Sequence, residues 1–198
     1  MKYVNQKKYP HLLYVTRANP ENPGHERGKY TTISSSGCGL CSALMVGDYL
    51  LPNFEFTLEQ AIELSYAAKA NLGAGTARCF FPAFAETARL RFEKGSTLEE
   101  LLNCLRTGGA AVVLVSEEKG VRTGLFTHGG HYMAIIGEAP DGRLILLDPS
   151  YQPGKFDEEG RQGKVEIQNE VIALCDPEIL HGETVNKQPD AYALFWRK

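Results

Sequence analysis

The chain has 198 residues, 43% of them hydrophobic, which suits one compact domain burying about 70% of its unfolded surface and excludes a disordered polymer. A net charge of only -3, a pI near 6.0 and a mean hydropathy of -0.25 exclude the summed positive field that would hold it on nucleic acid or an anionic membrane. The apolar run Ala110 to Val115 falls far short of the roughly 20 residues that a membrane-spanning helix needs.

Met1 to Tyr14 carries Lys2, Lys7 and Lys8 but no apolar core and no small-residue cleavage site. The expectation is a cytoplasmic protein, or an extracellular one if a signal peptide has been removed. Five cysteines, an odd and sparse set, fit free thiols in a reduced interior better than a disulfide framework. No repeat and no Pro/Gly-rich linker divides the chain, so residues 1–198 read as a single domain.

The first 36 residues are turn-rich: Asn19-Pro20, Asn22-Pro23-Gly24 and the hydroxyl run Thr31 to Ser36 all favour loops. Leu40, Leu44, Met45 and Tyr49 recur at helical spacing, predicting a buried helix over 39–51 whose N-terminus carries Cys38 and which Gly47 weakens by about 1 kcal/mol. Thr57 with Gln60 forms a capping box that opens a second helix running to about Ala70. Phe80 to Leu90 reads as a third, and Ser96 with Glu99 opens a fourth that ends at Gly108-Gly109. From Ala110 the pattern changes to short β-branched or apolar runs, at 110–116, 131–138, 143–148 and 192–197. A helical part (37–109) followed by a strand part (110–198) predicts an α+β fold with an antiparallel sheet.

Pro140-Asp141-Gly142 is a turn signal that folds 131–138 and 143–150 into a hairpin. His131 and Asp148 then meet at its open end, on one face wherever the paired residue numbers sum to an odd value. A carboxylate on an imidazole fixes its tautomer and stabilises its cation, as a general base beside a nucleophile requires. Cys38 is the candidate nucleophile: the helix start following it lowers a thiol pKa, and the same free amides can bind an oxyanion. Glycines flank both positions, Gly37 and Gly39 around Cys38 and Gly129-Gly130 before His131, where a ligand can approach backbone closely. Gly73-Ala74-Gly75-Thr76 is a candidate cleft entrance. Cys38, Cys41, His128 and His131 also form a possible zinc set, although histidines three apart on a strand face opposite ways. Cys79, Cys104 and Cys175 read as packing residues.

The stretches Thr32-Ile-Ser-Ser-Ser-Gly-Cys38-Gly-Leu-Cys-Ser-Ala-Leu-Met-Val46, Gly75-Thr-Ala-Arg-Cys-Phe-Phe-Pro-Ala-Phe84, Phe126-Thr-His-Gly-Gly-His131-Tyr-Met-Ala-Ile-Ile-Gly137 and Leu147-Asp148-Pro149 resemble bacterial papain-like cysteine peptidases related to the bacteriocin-processing, double-glycine leader peptidases. The match spans about Tyr30 to Tyr151. It implies a papain-like α+β fold, with Cys38 as nucleophile, His131 as general base and Asp148 as the group orienting the imidazole. It further implies Thr32 and the Cys38 amide as oxyanion donors, and Gly37, Gly75, Thr76 and Gly130 along the cleft. Leu40 and Cys41 stand where the family commonly has Pro and a hydroxyl residue, and Thr32 stands where leader peptidases carry Gln. With no transporter domain in the sequence, an export-coupled leader peptidase is not expected.

The resulting expectation is a cysteine hydrolase that cleaves an amide bond of a peptide or cell-wall peptide through a thioester, with no cofactor and no nucleic-acid partner. Two other classes compete with it: a catalytically weak papain-fold module that binds a peptide or partner in the same cleft, and the zinc-binding domain.

Overall fold

The structure is a computed structural model, and it describes residues 1–20, 31–121 and 123–198. The Asn22-Pro23-Gly24 turn lies outside the described residues. The described chain runs through α1 (Ile33–Ser36), α2 (Cys38–Leu50), α3 (Leu58–Ala67), α4 (Phe80–Ala88), β1 (Leu90–Gly95), α5 (Leu98–Arg106), β2 (Ala110–Ser116), β3 (Gly130–Glu138), β4 (Leu144–Leu147), β5 (Val165–Gln168), β6 (Ile172–Cys175), α6 (Pro177–Gly182) and β7 (Tyr192–Arg197). The strands form one sheet in the order β1-β7-β2-β3-β4-β6-β5, every neighbouring pair antiparallel. No described helix is long and apolar enough to cross a membrane.

Helices cover both faces of the sheet, because its central strands are apolar on both sides. Val112, Ala134 and Phe195 pack with α2, α3 and α4, whereas Val113, Met133 and Ile135 pack with α5 and α6. The helical part is therefore not one layer: α5 crosses to the far face. Thr57 and Gln60 cap α3 as their spacing predicts. On α5 the capping box sits one residue later than the sequence suggests, on Thr97 and Glu100. Glu100 Oε2 accepts from the Ser96 and Thr97 amides, each at 2.8 Å. The hydroxyl run read as loop instead contains α1, a single helical turn.

Gly47 in α2 has a packing reason. A Cβ there would lie 2.4 Å from Phe54 Cζ, on a ring already set against Phe56 and Phe84. Gly47→Ala is therefore expected to lose the roughly 1 kcal/mol of helix propensity it would gain in the open, and to destabilise by about 1–3 kcal/mol through overpacking. Urea unfolding would read this as a lowered midpoint at unchanged slope.

Candidate active site

Cys38 is the first residue of α2 and is half-buried. Its N-cap, Gly37, supplies no side-chain cap, so the helix's first amides face outward with their positive dipole end beside the thiol. The flanking glycines serve contacts within the fold. A Cβ on Gly37 would stand 2.8 Å from Ile33 Cγ2, one on Gly39 2.9 Å from Thr76 Cβ and 3.1 Å from the Tyr132 ring, and one on Gly75 3.1 Å from the Ser36 carbonyl oxygen. The 73–78 loop and β3 are thus drawn tightly against the first turn of α2. Thr76 is buried, its hydroxyl 3.1 Å from that of Tyr14. Gly130 is exposed at the start of β3.

His131 follows Gly130, and Asp148 follows the last residue of β4. The imidazole Nε2 lies 2.7 Å from Asp148 Oδ1, with the two side chains 6% and 1% exposed. The pair depends on a β-bulge. Near the turn the register is Glu138 with Leu144 and Gly137 with Ile145, which if continued would set His131 and Asp148 on opposite faces. The bulge between Ile135 and Gly137 shifts the pairing to Ile135 with Leu146 and Ala134 with Leu147, whose numbers sum to an odd value, and both side chains return to one face.

With Nε2 directed to Asp148, Nδ1 is the nitrogen left for Cys38. Burial opposes ionisation of the thiol, but the hydrogen bond and charge of His131, with the Tyr132 and Gly39 amides, hold it below its ordinary value. Burial likewise disfavours the imidazolium, yet the charge and hydrogen bond of Asp148, then those of Cys38, raise His131 above its ordinary value. Asp148 is itself held well below the usual carboxylate range: burial pushes it up, and His131 and Lys155 outweigh that.

The sequence reading missed the residues that hold Asp148. Lys155 Nζ binds Asp148 Oδ2 and donates to Ser150 Oγ at 2.9 Å. Ser150 donates to Asp148 Oδ1 from its amide at 2.8 Å and from its hydroxyl at 3.0 Å. The N-terminal segment then straps this loop from outside: Tyr3 Oη donates to the Asp148 carbonyl at 2.6 Å, Gln6 N to that of Pro149 at 2.7 Å, and Asn5 Nδ2 to that of Tyr151 at 2.9 Å. A serine two residues after an aspartate signals such a local turn. No pattern in the sequence announces Lys155.

Thr32 is the N-cap of α1, and its amide donates to Ser35 Oγ at 3.2 Å. The four zinc candidates do not converge. His128 directs Nδ1 to Glu117 at 2.7 Å and Nε2 to Glu158 at 2.9 Å, and Cys41 is fully buried in α2. Among the described residues no group of His, Cys, Asp or Glu is arranged to hold a metal ion. Cys104 and Cys175 are buried, their thiols pushed up to about 12 by that burial. Cys79, expected in the core, is exposed just before α4, its sulfur 3.7 Å from the Ala68 carbonyl oxygen.

No protein-family model matches the sequence, and no curated protein matches it. A solved structure from Bacillus anthracis, assigned as a C39-like peptidase, superposes with a TM-score of 0.51 over 82% of this chain and 88% of its own at 12% identity. The likeness is one of fold: helices and an antiparallel sheet arranged as in a C39-like peptidase.

Proposed function

We propose that this chain is a papain-like cysteine peptidase with the triad Cys38, His131 and Asp148, acting on a peptide or cell-wall peptide. The observation that supports the reading is the buried His131–Asp148 pair, with the charge of that imidazole holding down the thiol of Cys38, which opens a helix with an uncapped first turn. Cys38 Sγ, as thiolate, attacks the scissile carbonyl carbon, and the oxyanion that forms takes the Cys38 amide, with Thr32 as the second donor. The imidazolium, protonated on Nδ1, gives that proton to the leaving amine as the C–N bond breaks, leaving a thioester on Cys38. A water then loses a proton to Nδ1 as its oxygen attacks the thioester carbonyl, and the acid leaves as the thiolate is restored. Asp148 keeps its negative charge throughout and holds Nε2–H.

Iodoacetamide alkylation as a function of pH, mapped by mass spectrometry, tests this. Cys38 is expected to react at pH 6, well below the free-thiol value of about 8.5, and faster than Cys79, the exposed thiol that serves as reference in the same chain. His131→Ala is expected to remove that advantage, because it removes the group holding the thiol down. Equal rates at Cys38 and Cys79, unchanged by the substitution, would exclude an ion pair and leave a binding module.

A further inference from the structure

Two cations flank the Cys38–His131 pair from different elements. Arg78, on the loop before α4, donates from Nη2 to the carbonyl oxygen of Lys187, which ends a 3-10 turn (Val185–Lys187) shortly before β7. Lys187 Nζ lies 3.8 Å from where a Cβ would stand on Gly130, the residue before His131. Arg78 stands two residues after Thr76, which packs on Gly39 next to the nucleophile. The Tyr132 phenol feels the charges of both Cys38 and Arg78. Arg78 also lines a small pocket together with Phe81, Phe92, Val112 and Tyr132.

Among the described residues no acid balances this pair. Among the described residues neither Arg78 nor Lys187 makes an ion pair. The one acid lining the pocket with Arg78 is Asp190, and Lys94 holds it at 2.8 Å. Burial, then the charge of Arg78, presses the Lys187 ammonium below the usual lysine range. Like charges kept adjacent and partly desolvated are unfavourable unless an anion joins them. A guanidinium bonded to the main chain of a lysine whose ammonium feels its charge suits a carboxylate shared between the two.

We infer that Arg78 and Lys187 form a carboxylate subsite beside Cys38, so that the peptide bound there is acidic next to the scissile bond. The inference rests on the reading of Cys38 and His131 as the reacting pair. The carboxylate is that of an acidic side chain or of a free C-terminus, and the experiment separates the two.

The test compares iodoacetate, an anion, with iodoacetamide, its neutral isostere, at Cys38 at pH 7. The ratio of the two rates cancels any change in thiol reactivity common to both. The imidazolium of His131 acts on iodoacetate in wild type and variant alike. In Arg78→Met/Lys187→Met the ratio is expected to fall about tenfold, the scale of losing a charged hydrogen-bonding partner. Lys187→Gln alone, which keeps the Arg78 contact to the main chain, is expected to lower it about threefold. An unchanged ratio in both variants would overturn the subsite.

Calorimetric titration reads the same subsite independently of thiol chemistry. N-acetyl-Ala-Glu-Ala-amide carries a side-chain acid and N-acetyl-Ala-Ala-Ala a free C-terminus. Binding of either, lost in the double variant, supports the subsite, and which one binds identifies the source of the carboxylate. Failure of both to bind, or equal binding to wild type and variant, overturns it. Slow iodoacetamide alkylation of wild-type Cys38, together with peptide binding that the double variant loses, would remove the reacting pair while leaving the subsite standing.

Discussion

Replacing Asp148 by alanine is expected to lower folding stability by about 3–5 kcal/mol. The carboxylate is 1% exposed and accepts from His131, from Ser150 and from Lys155, whose side chain is itself only 12% exposed. Removing it leaves an ammonium and an imidazole edge, both mostly shielded from water, without their partner, and an unpaired buried charge costs far more than a paired one contributes. The cost should come mostly from Lys155: Asp148→Ala/Lys155→Met is expected to recover more than half of the loss, a coupling that a double-mutant cycle measures.

The pH dependence of the same site has a definite sign. Asp148 is held below its unfolded value of about 3.9, so its contribution is complete above that pH and is lost as pH falls toward the folded value. His131 is raised, so its contribution is complete below its unfolded value of about 6.5 and is lost as pH rises through the folded one. The wild-type urea midpoint should therefore peak between about pH 4 and 6.5, and the profile should flatten on both sides in Asp148→Ala. A wild-type profile no different from that of the variant would mean that the pair is not ionised in the folded state.

How much of this was legible beforehand depends on whether the cause was local. The Thr57–Gln60 cap, the Pro140-Asp141-Gly142 hairpin and the apolar runs of β2, β3, β4 and β7 follow from neighbours within a few residues, and the structure contains them. The strands at the two sheet edges were not legible. β1 reads Leu-Arg-Phe-Glu-Lys-Gly and β5 reads Val-Glu-Ile-Gln, short and interrupted by charges as edge strands are, so neither makes an apolar run. The bulge before Gly137 was invisible too, although it decides on which face Asp148 lies, because it is settled by packing on both faces of β3 and not by the turn. Lys155 reaches Asp148 around a loop that has no periodicity. The glycines around Cys38 were legible as a sign of close approach, but the approaching groups are Ile33, Thr76 and Tyr132 of the chain itself.

Gly39 is therefore the position at which fold and chemistry can be separated from each other. Gly39→Ala adds one methyl group and no charge, 2.9 Å from Thr76 Cβ and 3.1 Å from Tyr132 Cδ2. Neither neighbour is the loose end of a flexible side chain: one is a β-carbon, and the other belongs to a ring set against Phe81 at 5.0 Å between centroids. The 73–78 loop and β3 must therefore move off α2, at a cost of about 1–3 kcal/mol. β3 carries the Tyr132 amide and the His131 ring that hold the Cys38 thiol down. Separating them should raise that thiol toward the free value and slow its alkylation at pH 6 by about tenfold, one pKa unit's worth of thiolate, while reaction at pH 9 changes little. Gly47→Ala costs a similar amount of stability in the same helix but lies more than two turns from Cys38, and is expected to leave the pH 6 rate unchanged. Equal slowing in the two variants would mean that Cys38 reports the stability of α2 and not its contact with β3.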